Sequence, residues 1–416
     1  MATYDTLASL DSFLKQYYKN YDSVEAAYSK KYPFLSMVTK KRNVTGNPMK
    51  IPMLTGDGAG ISGNYTSAAA SASGLEGPAF FVQPGDFIGV VPLDFKSQLA
   101  MTDPGSFIDY TGKSIDAKIN AMGRAHARFL FGNGGGSIGR RASASVNVIT
   151  LATPSDTINF WKGQVIRAST GDGTSGAHTQ KTGSTTVASV NRESGTVTLT
   201  SAAAISGFAD NDYLFIDGLF AGDQSQVSVM KGLPCWLTET AATDTLWTVN
   251  RTNYPELSGY RNPNAATAGG VVDRFRALAT IGSRTYSGVG SLGVMFTDQW
   301  EVAAKTLQNQ GYRPITVDAT ETKAGYKKLG IMGQYGEIDL IGDPFCPALT
   351  GYILDLEAIQ IAHLGDDLIN WFKSKEGNMY VPSNTNMGWE VRLASYPNLA
   401  MDAPWKHGVT PLPTLP

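Results

Sequence analysis

Cysteine is nearly missing: Cys235 and Cys346 are the only 2 in 416 residues. Two cysteines cannot build a disulfide framework, and they fit a reducing compartment. Histidine is scarce too. His126, His178, His363 and His407 share no metal-ligand spacing with one another or with a cysteine, so the sequence assigns no metal residue. No run of about 18 apolar residues occurs, so no membrane-spanning helix is expected. The first residues, MATYDTLASLDSFLKQYY, lack the basic and apolar regions of a signal peptide. Charged residues make up only 17% of the chain and the net charge is −2. That argues against a nucleic-acid footprint spread over the whole sequence. No Gly-x-Ser-x-Gly follows a strand, as a nucleophile elbow would (Gly135–Gly139, within GNGGGSIGRR, follows a helix), and no cysteine has a matched histidine. No catalytic or cofactor-binding residue is assigned, no cofactor is implied, and an enzyme is not expected.

What is present is glycine and proline, at 45 and 20 residues, with 42% hydrophobic residues. This favours a strand- and loop-rich protein of two or three domains. The organising stretch is Thr102–Gly132, TDPGSFIDYTGKSIDAKINAMGRAHARFLFG. Asp103 can cap a helix, Pro104 suits its first turn, and Gly132 begins a glycine-rich exit. Ile108, Ile115, Ile119, Met122, His126 and Phe129 recur at helical spacing and share one face. One modest apolar stripe on so long a helix predicts a strut, with His126 as a packed or interfacial histidine.

Ahead of the strut, residues 4–31 read as a tyrosine-rich helical arm that Pro33 ends. Tyr17 and Tyr21 lie on its apolar face. Residues 1–42 hold seven basic side chains against four acidic ones, and such an arm could touch packaged nucleic acid or be a solvated helix face. Two proline-bearing strands, 47–55 and 79–95, flank a Gly/Ala/Ser-rich tip. Together they predict a long two-stranded arm. An isolated hairpin is marginal in water, so a second copy of the chain is the simplest partner. Ile51, Met53, Phe87, Ile88 and Val90, with Tyr17 and Tyr21, are the candidate subunit-interface residues.

After the strut, VNVITLA, GQVIRAS, TTVASVN, GTVTLT and DYLFID alternate polar and apolar residues between turn signals. They predict a compact antiparallel β-barrel. Its inward set is expected to be Val148, Ile149, Leu151, Val165, Ile166, Val187, Val190, Val197, Leu199, Leu214 and Phe215. The rest mixes helices (Val271–Gly282, DQWEVAAKTLQNQ and LEAIQIAHL) with strands (SLGVMF, YKKLGIMG, GEIDLIG, GYILDL and WEVRLASYPNLAMDAP). This is an α+β domain around one mixed sheet, with an extended proline-broken tail. GNGGGSIGRR follows a helix and lacks Gly-Lys-Ser/Thr, so it reads as a hinge and not a phosphate loop. Asp339, Asp343 and Asp355 fall on strand ends and turns, where Asp is favoured for backbone reasons.

This order resembles the major capsid protein of tailed bacteriophages, the Hong Kong 97 fold, across essentially the full chain. SLGVMFTDQWEVAAKTL is similar to the family's axial strand and helix, and GEIDLIGDPFCPALTGYILDLEAI to its late segment. LWTVNRTNYPELSGYR resembles the connection after an insertion, with Arg251 and Leu257 at recurring places. ITLATPSDTINFWKGQVIRAS resembles the start of an inserted barrel.

The resemblance implies an N-terminal arm (1–42), an extended β-hairpin loop (43–100), and a spine helix with peripheral domain (101–142). An inserted β-barrel (143–220), an axial domain (221–388) and a C-terminal strand and tail (389–416) follow. It implies hexamers and pentamers closing into an icosahedral shell around double-stranded DNA, in the virion and assembled in the bacterial cytoplasm. Expected partners are further copies of the chain, a separate scaffolding protein, a portal protein, a decoration protein and non-specifically packaged DNA, with no membrane. The short stretch before the loop predicts no fused, cleaved scaffold. A nanocompartment shell of the same fold is the alternative within the class, which the barrel disfavours. A β-rich enzyme or carbohydrate-binding protein is the alternative from another class.

Overall fold

The structure, a computed structural model, describes residues 32–41, 46, 48–53, 55, 60–72, 77–94, 104–174, 178–221, 229–264, 269–286, 290–309, 329–333, 336–374, 377–383 and 388–414. The expected arm, with Tyr17 and Tyr21, lies outside these residues. Pro33 opens a short helix, Pro33–Met37. This suits a residue that lacks an N–H where no helical partner exists.

Strands β1 (Thr39–Lys41), β2 (Met49–Pro52), β3 (Ala79–Val82) and β4 (Phe87–Asp94) precede the strut. β2 and β3 form the expected antiparallel pair, from Met49 opposite Val82 to Pro52 opposite Ala79. Between them, in the Gly/Ala/Ser-rich stretch expected to be a flexible tip, sits a helix, Tyr65–Ser71. Asn64 caps it by accepting the Thr66 N–H at 2.9 Å, and the Ala-rich run favours the helical state. The hairpin is also shorter than the expected 47–95. The chain turns away at Pro84, and Gly85 donates its N–H to Pro397 O at 2.9 Å. A side chain at Gly85 would meet Met230 N at 2.9 Å. β4 therefore leaves the hairpin for a different sheet.

The strut runs Pro104–Phe129, 26 residues, or about 39 Å at 1.5 Å per residue. Ile115, Ile119, Met122, His126 and Phe129 are buried on one face, as the spacing requires. That face packs across β4 at Gly89, where a Cβ would stand 3.0 Å from Met122 Sδ and 3.1 Å from Lys118 Cγ.

The barrel consists of β5 (Ser137–Ser145), β6 (Val148–Leu151), β7 (Val165–Ser169), β8 (Thr185–Asn191), β9 (Thr196–Leu199) and β10 (Tyr213–Ile216). It is closed, in the order β10-β5-β6-β9-β8-β7, with every pair antiparallel. Its first strand starts at Ser137, ahead of the expected 143, so the glycine hinge is confined to Asn133–Gly136. Gly134 and Gly136 there take positive φ, +79° and +94°. Of the expected inward set, Ile149, Leu151, Ile166, Val187, Val197, Leu199, Leu214 and Phe215 are buried. Val148 and Val165 turn outward, at 38% and 39% exposure; each is the outward neighbour of a buried isoleucine in a period-2 strand.

After the barrel come β11 (Thr245–Leu246), β12 (Val249–Asn250), β13 (Tyr260–Arg261), β14 (Leu292–Met295), β15 (Leu329–Gly333), β16 (Gly336–Gly342) and β17 (Thr350–Leu354). The chain ends through β18 (Ile359–His363), β19 (Asn370–Trp371), β20 (Val381–Pro382), β21 (Gly388–Ser395), β22 (Pro397–Met401) and β23 (Gly408–Pro411). A mixed sheet, β13-β23-β17-β14-β16-β15, is flanked by helices Val271–Tyr286 and Thr297–Asn309. Phe275, Leu278 and Ala303 are buried against Met295, Leu340 and Ile353 in one apolar cluster. The tail forms an internal strand here, since β23 pairs with both β13 and β17.

LEAIQIAHL was expected to be a helix and instead supplies β18. This strand pairs antiparallel with β22 and parallel with β1. Its residues 359–363 are nearly all buried, and β-branched Ile359 and Ile361 suit a sheet enclosed on both faces. WEVRLASYPNLAMDAP divides at Tyr396 into β21, which pairs with β4, β19 and β20, and β22, which belongs to the β18 sheet.

Candidate assembly surface

The expected interface residues separate into two groups. Met53 and Phe87 are 2% and 4% exposed and face the protomer's own core. Phe87 stands edge-on to His126, with ring centroids 5.0 Å apart, and touches Phe129 at 5.5 Å. Ile51 is partly buried against the same core. Ile88 and Val90 point the other way, at 72% and 39% exposure. They stand opposite Ala394 and Arg392 across the β4–β21 pair, and Phe372, 55% exposed, lies 5.8 Å from the Arg392 guanidinium. One face of this sheet is therefore sealed by the strut and the other carries an open apolar strip. On the loop, Ile61 and Tyr65 are 97% and 87% exposed.

A second feature lies where the strut meets the barrel. Arg124, on the strut, stacks on Trp161 with its guanidinium carbon 3.8 Å from the ring centroid, and Arg192 approaches the same ring at 4.8 Å. Arg128, one turn further along the strut, faces Asp156 on the barrel. Burial pushes the Arg128 pKa down and that of Asp156 up, and each partner opposes the other's shift. Asn159 donates to Ile138 O at 2.8 Å. Between strut, β4 and barrel runs a groove of about 670 Å³.

Three buried polar sites hold distant segments in register. Arg251 donates to both Asp244 carboxylate oxygens at 2.6 and 2.7 Å, and to the carbonyls of Cys235 and Trp236 at 2.8 and 3.0 Å. Leu257 beside this connection is fully buried. The Asp343 carboxylate accepts the N–H groups of Phe34 and Phe345, at 3.1 and 2.9 Å, joining the first described helix to the mixed sheet. Burial raises its pKa, and the two N–H groups oppose that shift. His407 Nδ1 accepts the Asp355 N–H at 3.1 Å. His126 is a packed histidine, as its place on the stripe implied, with burial and then His363 pushing its pKa down to about 3. His407 is brought down to about 4, again chiefly by burial.

The sequence pointed to Arg251 through its surrounding segment. It did not reveal the Arg124–Trp161 stack or the Asp343 contact. A tryptophan in the turn-rich NFWKG was the only local signal for the first. The second joins residues 309 positions apart.

Both thiols are held protonated: burial pushes Cys235 up to about 11 and Cys346 well above its ordinary value. They are poor nucleophiles in this state. Among the described residues no group of three or more His, Cys, Asp or Glu is placed to hold a metal ion, and no helix is long and apolar enough to cross a membrane.

The long strut, the closed barrel and the mixed-sheet domain follow one another in a fold that is similar to that of a phage capsid protein. The chain aligns with a chain of the cyanophage A-1(L) capsid over 92% of its own length and 93% of the other's, at 12% identity and a TM-score of 0.53. A capsid chain of the native GTA particle aligns over 91% and 90%, at 11% identity and a TM-score of 0.46. One from the capsid of cyanophage P-SCSP1u aligns over 91% and 87%, at 9% identity and a TM-score of 0.37. At these identities the likeness is one of fold. No family model matches the sequence, and no curated protein matches it.

Proposed function

We propose that this chain is the major capsid protein of a tailed bacteriophage, a Hong Kong 97-like subunit whose hexamers and pentamers close an icosahedral shell around double-stranded DNA. The observation that carries this reading is fold likeness over 92% of the chain to a cyanophage capsid protein, at a TM-score of 0.53. In this reading the strut is the spine helix, and β4 with β19–β21 forms the peripheral sheet. The six-stranded mixed sheet is the axial domain, the barrel is the insertion, and β2, β3 and the helix between them are the extended loop.

The distribution of apolar surface supports self-association. Ile88, Val90 and Phe372 on one sheet face, and Ile61 and Tyr65 on the loop, are large side chains left open to water. Scattered single apolar residues are ordinary, but a contiguous strip marks a contact surface. A closed shell built from one protein needs such contacts repeated by symmetry. A separate scaffolding protein, a portal, a decoration protein and packaged DNA are the partners this function brings, with assembly in the bacterial cytoplasm and a final place in the virion.

Sedimentation velocity of the purified full-length protein tests the reading. Species of five and six copies, or larger shells, are expected at micromolar concentration. A single monomer boundary across the whole accessible range would count against it.

A further inference from the structure

The groove between strut and barrel has an open strand edge as one wall. Asp86, Phe87, Ile88 and Gly89 are consecutive, and from Phe87 to Gly89 the side chains alternate between the two sheet faces, yet all four residues line the groove. The groove therefore runs along the edge of β4. Among the described residues β4 pairs with β21 alone, so the N–H and C=O groups of its other edge face this space. An open edge is a template for another strand.

The opposite walls are basic. Lys118, Arg124 and Arg128 line the groove from the strut and Lys162 from the barrel, and Arg192 stacks on the Trp161 that borders it. Arg128 faces Asp156. Among the described residues Lys118, Arg124 and Lys162 have no carboxylate partner within ion-pair distance. The lining holds only two acids, Asp86 and Asp217, and Asp217 is paired with Arg167 at 2.5 Å. Burial pushes the Arg124 pKa down, Tyr32 opposes that shift, and neighbouring Arg192 adds to it more weakly.

We infer that an acidic, extended segment of a different protein adds as a strand to the open edge of β4 and sets its carboxylates against Lys118, Arg124 and Lys162. Strand addition supplies affinity through main-chain hydrogen bonds, and side-chain pockets and charges supply selectivity. The chain's own exposed loop is a poor match, since residues 53–78 carry only Asp57 and Glu76 as acids. The inference concerns this surface alone and holds whether or not the chain builds a shell.

Fluorescence anisotropy with the full-length protein tests it. The probe is a short labelled peptide of alternating Glu and Val. It is expected to bind, and a Lys/Val peptide to bind at least about tenfold more weakly, as like charges face each other. A Glu/Val peptide N-methylated at alternate amides keeps its charge and loses its donors; the same order of loss, about tenfold, is expected. Lys118→Glu with Lys162→Glu changes two solvent-accessible side chains. With an unchanged circular dichroism melt, it should weaken the Glu/Val peptide and favour the Lys/Val one. Equal binding of the acidic and basic peptides, undiminished binding of the N-methylated peptide, or an unaffected double variant would each overturn the inference. Release of subunits from self-assembled protein by the peptide would assign the edge to a second copy and overturn the choice of partner.

Discussion

His126 shows how much a single position can constrain the protein. It lies on the strut's buried stripe against Phe87, and neither ring nitrogen has a hydrogen-bond partner in the structure. A protonated imidazole has no compensation there, with His363 close by. The unfolded chain takes up a proton near pH 6.5, whereas the folded protein resists protonation until about pH 3 at His126 and about pH 4 at His407. The unfolded state thus binds more protons between these values. Stability from both groups is complete above about pH 6.5 and is lost progressively below it. For His126 the full loss is up to about 5 kcal/mol, at 1.36 kcal/mol per pKa unit. His126→Leu should keep the packing and flatten this dependence. Thermal melts at pH 7 and pH 5 should show a smaller fall for the variant than for the natural protein. Parallel falls would mean that His126 is not the acid-labile group.

At the scale of elements, the strut and barrel were legible because each has one dominant period. Ile115, Ile119, Met122 and Phe129 keep helical spacing over several turns, and the barrel strands alternate between frequent turn signals. What was not legible depended on pairing between distant segments. β4 was read as part of a local hairpin, but its partner β21 lies near the other end of the chain, and no local pattern encodes that choice. LEAIQIAHL has apolar residues at spacings that suit either a helix or a buried strand. Its strand state is decided by β1 and β22 on its two edges. The joint between strut and barrel was equally hidden, because it rests on single contacts. Arg124→Ala and Trp161→Ala, alone and together, should give a coupling of about 0.5–2 kcal/mol in chemical denaturation, the range for a cation–π pair partly shielded from water. Strictly additive effects would mean that the stack is incidental. The barrel has a closed hydrogen-bond network and its own apolar filling. Residues 137–217 expressed alone should give a dispersed amide spectrum; a collapsed one would show that it needs the strut to fold.

Across the whole molecule, apolar surface is divided between a sealed core and an open strip. The strut covers the inner face of β4 and leaves Ile88 and Val90 outside, although the sequence grouped them with Phe87 and Met53 as one interface set. Alternation along β4 separates them: one face stabilises the protomer and the other is free for contact. Ile88→Asp, at 72% exposure, should therefore change folding stability by no more than about 0.5 kcal/mol while strongly weakening self-association in sedimentation. Unaltered association would place the contacts between copies elsewhere.

The central claim is that this chain builds a closed shell with copies of itself, and images of the assembled protein test it most directly. Negative-stain electron microscopy of the full-length protein, produced with and without the other head proteins of its source, should show six-fold and five-fold capsomers. Curved sheets, tubes or rings are expected for the chain alone, and closed icosahedral particles when the partners are present. Dispersed single protomers under both conditions, with the fold intact by circular dichroism, would contradict it.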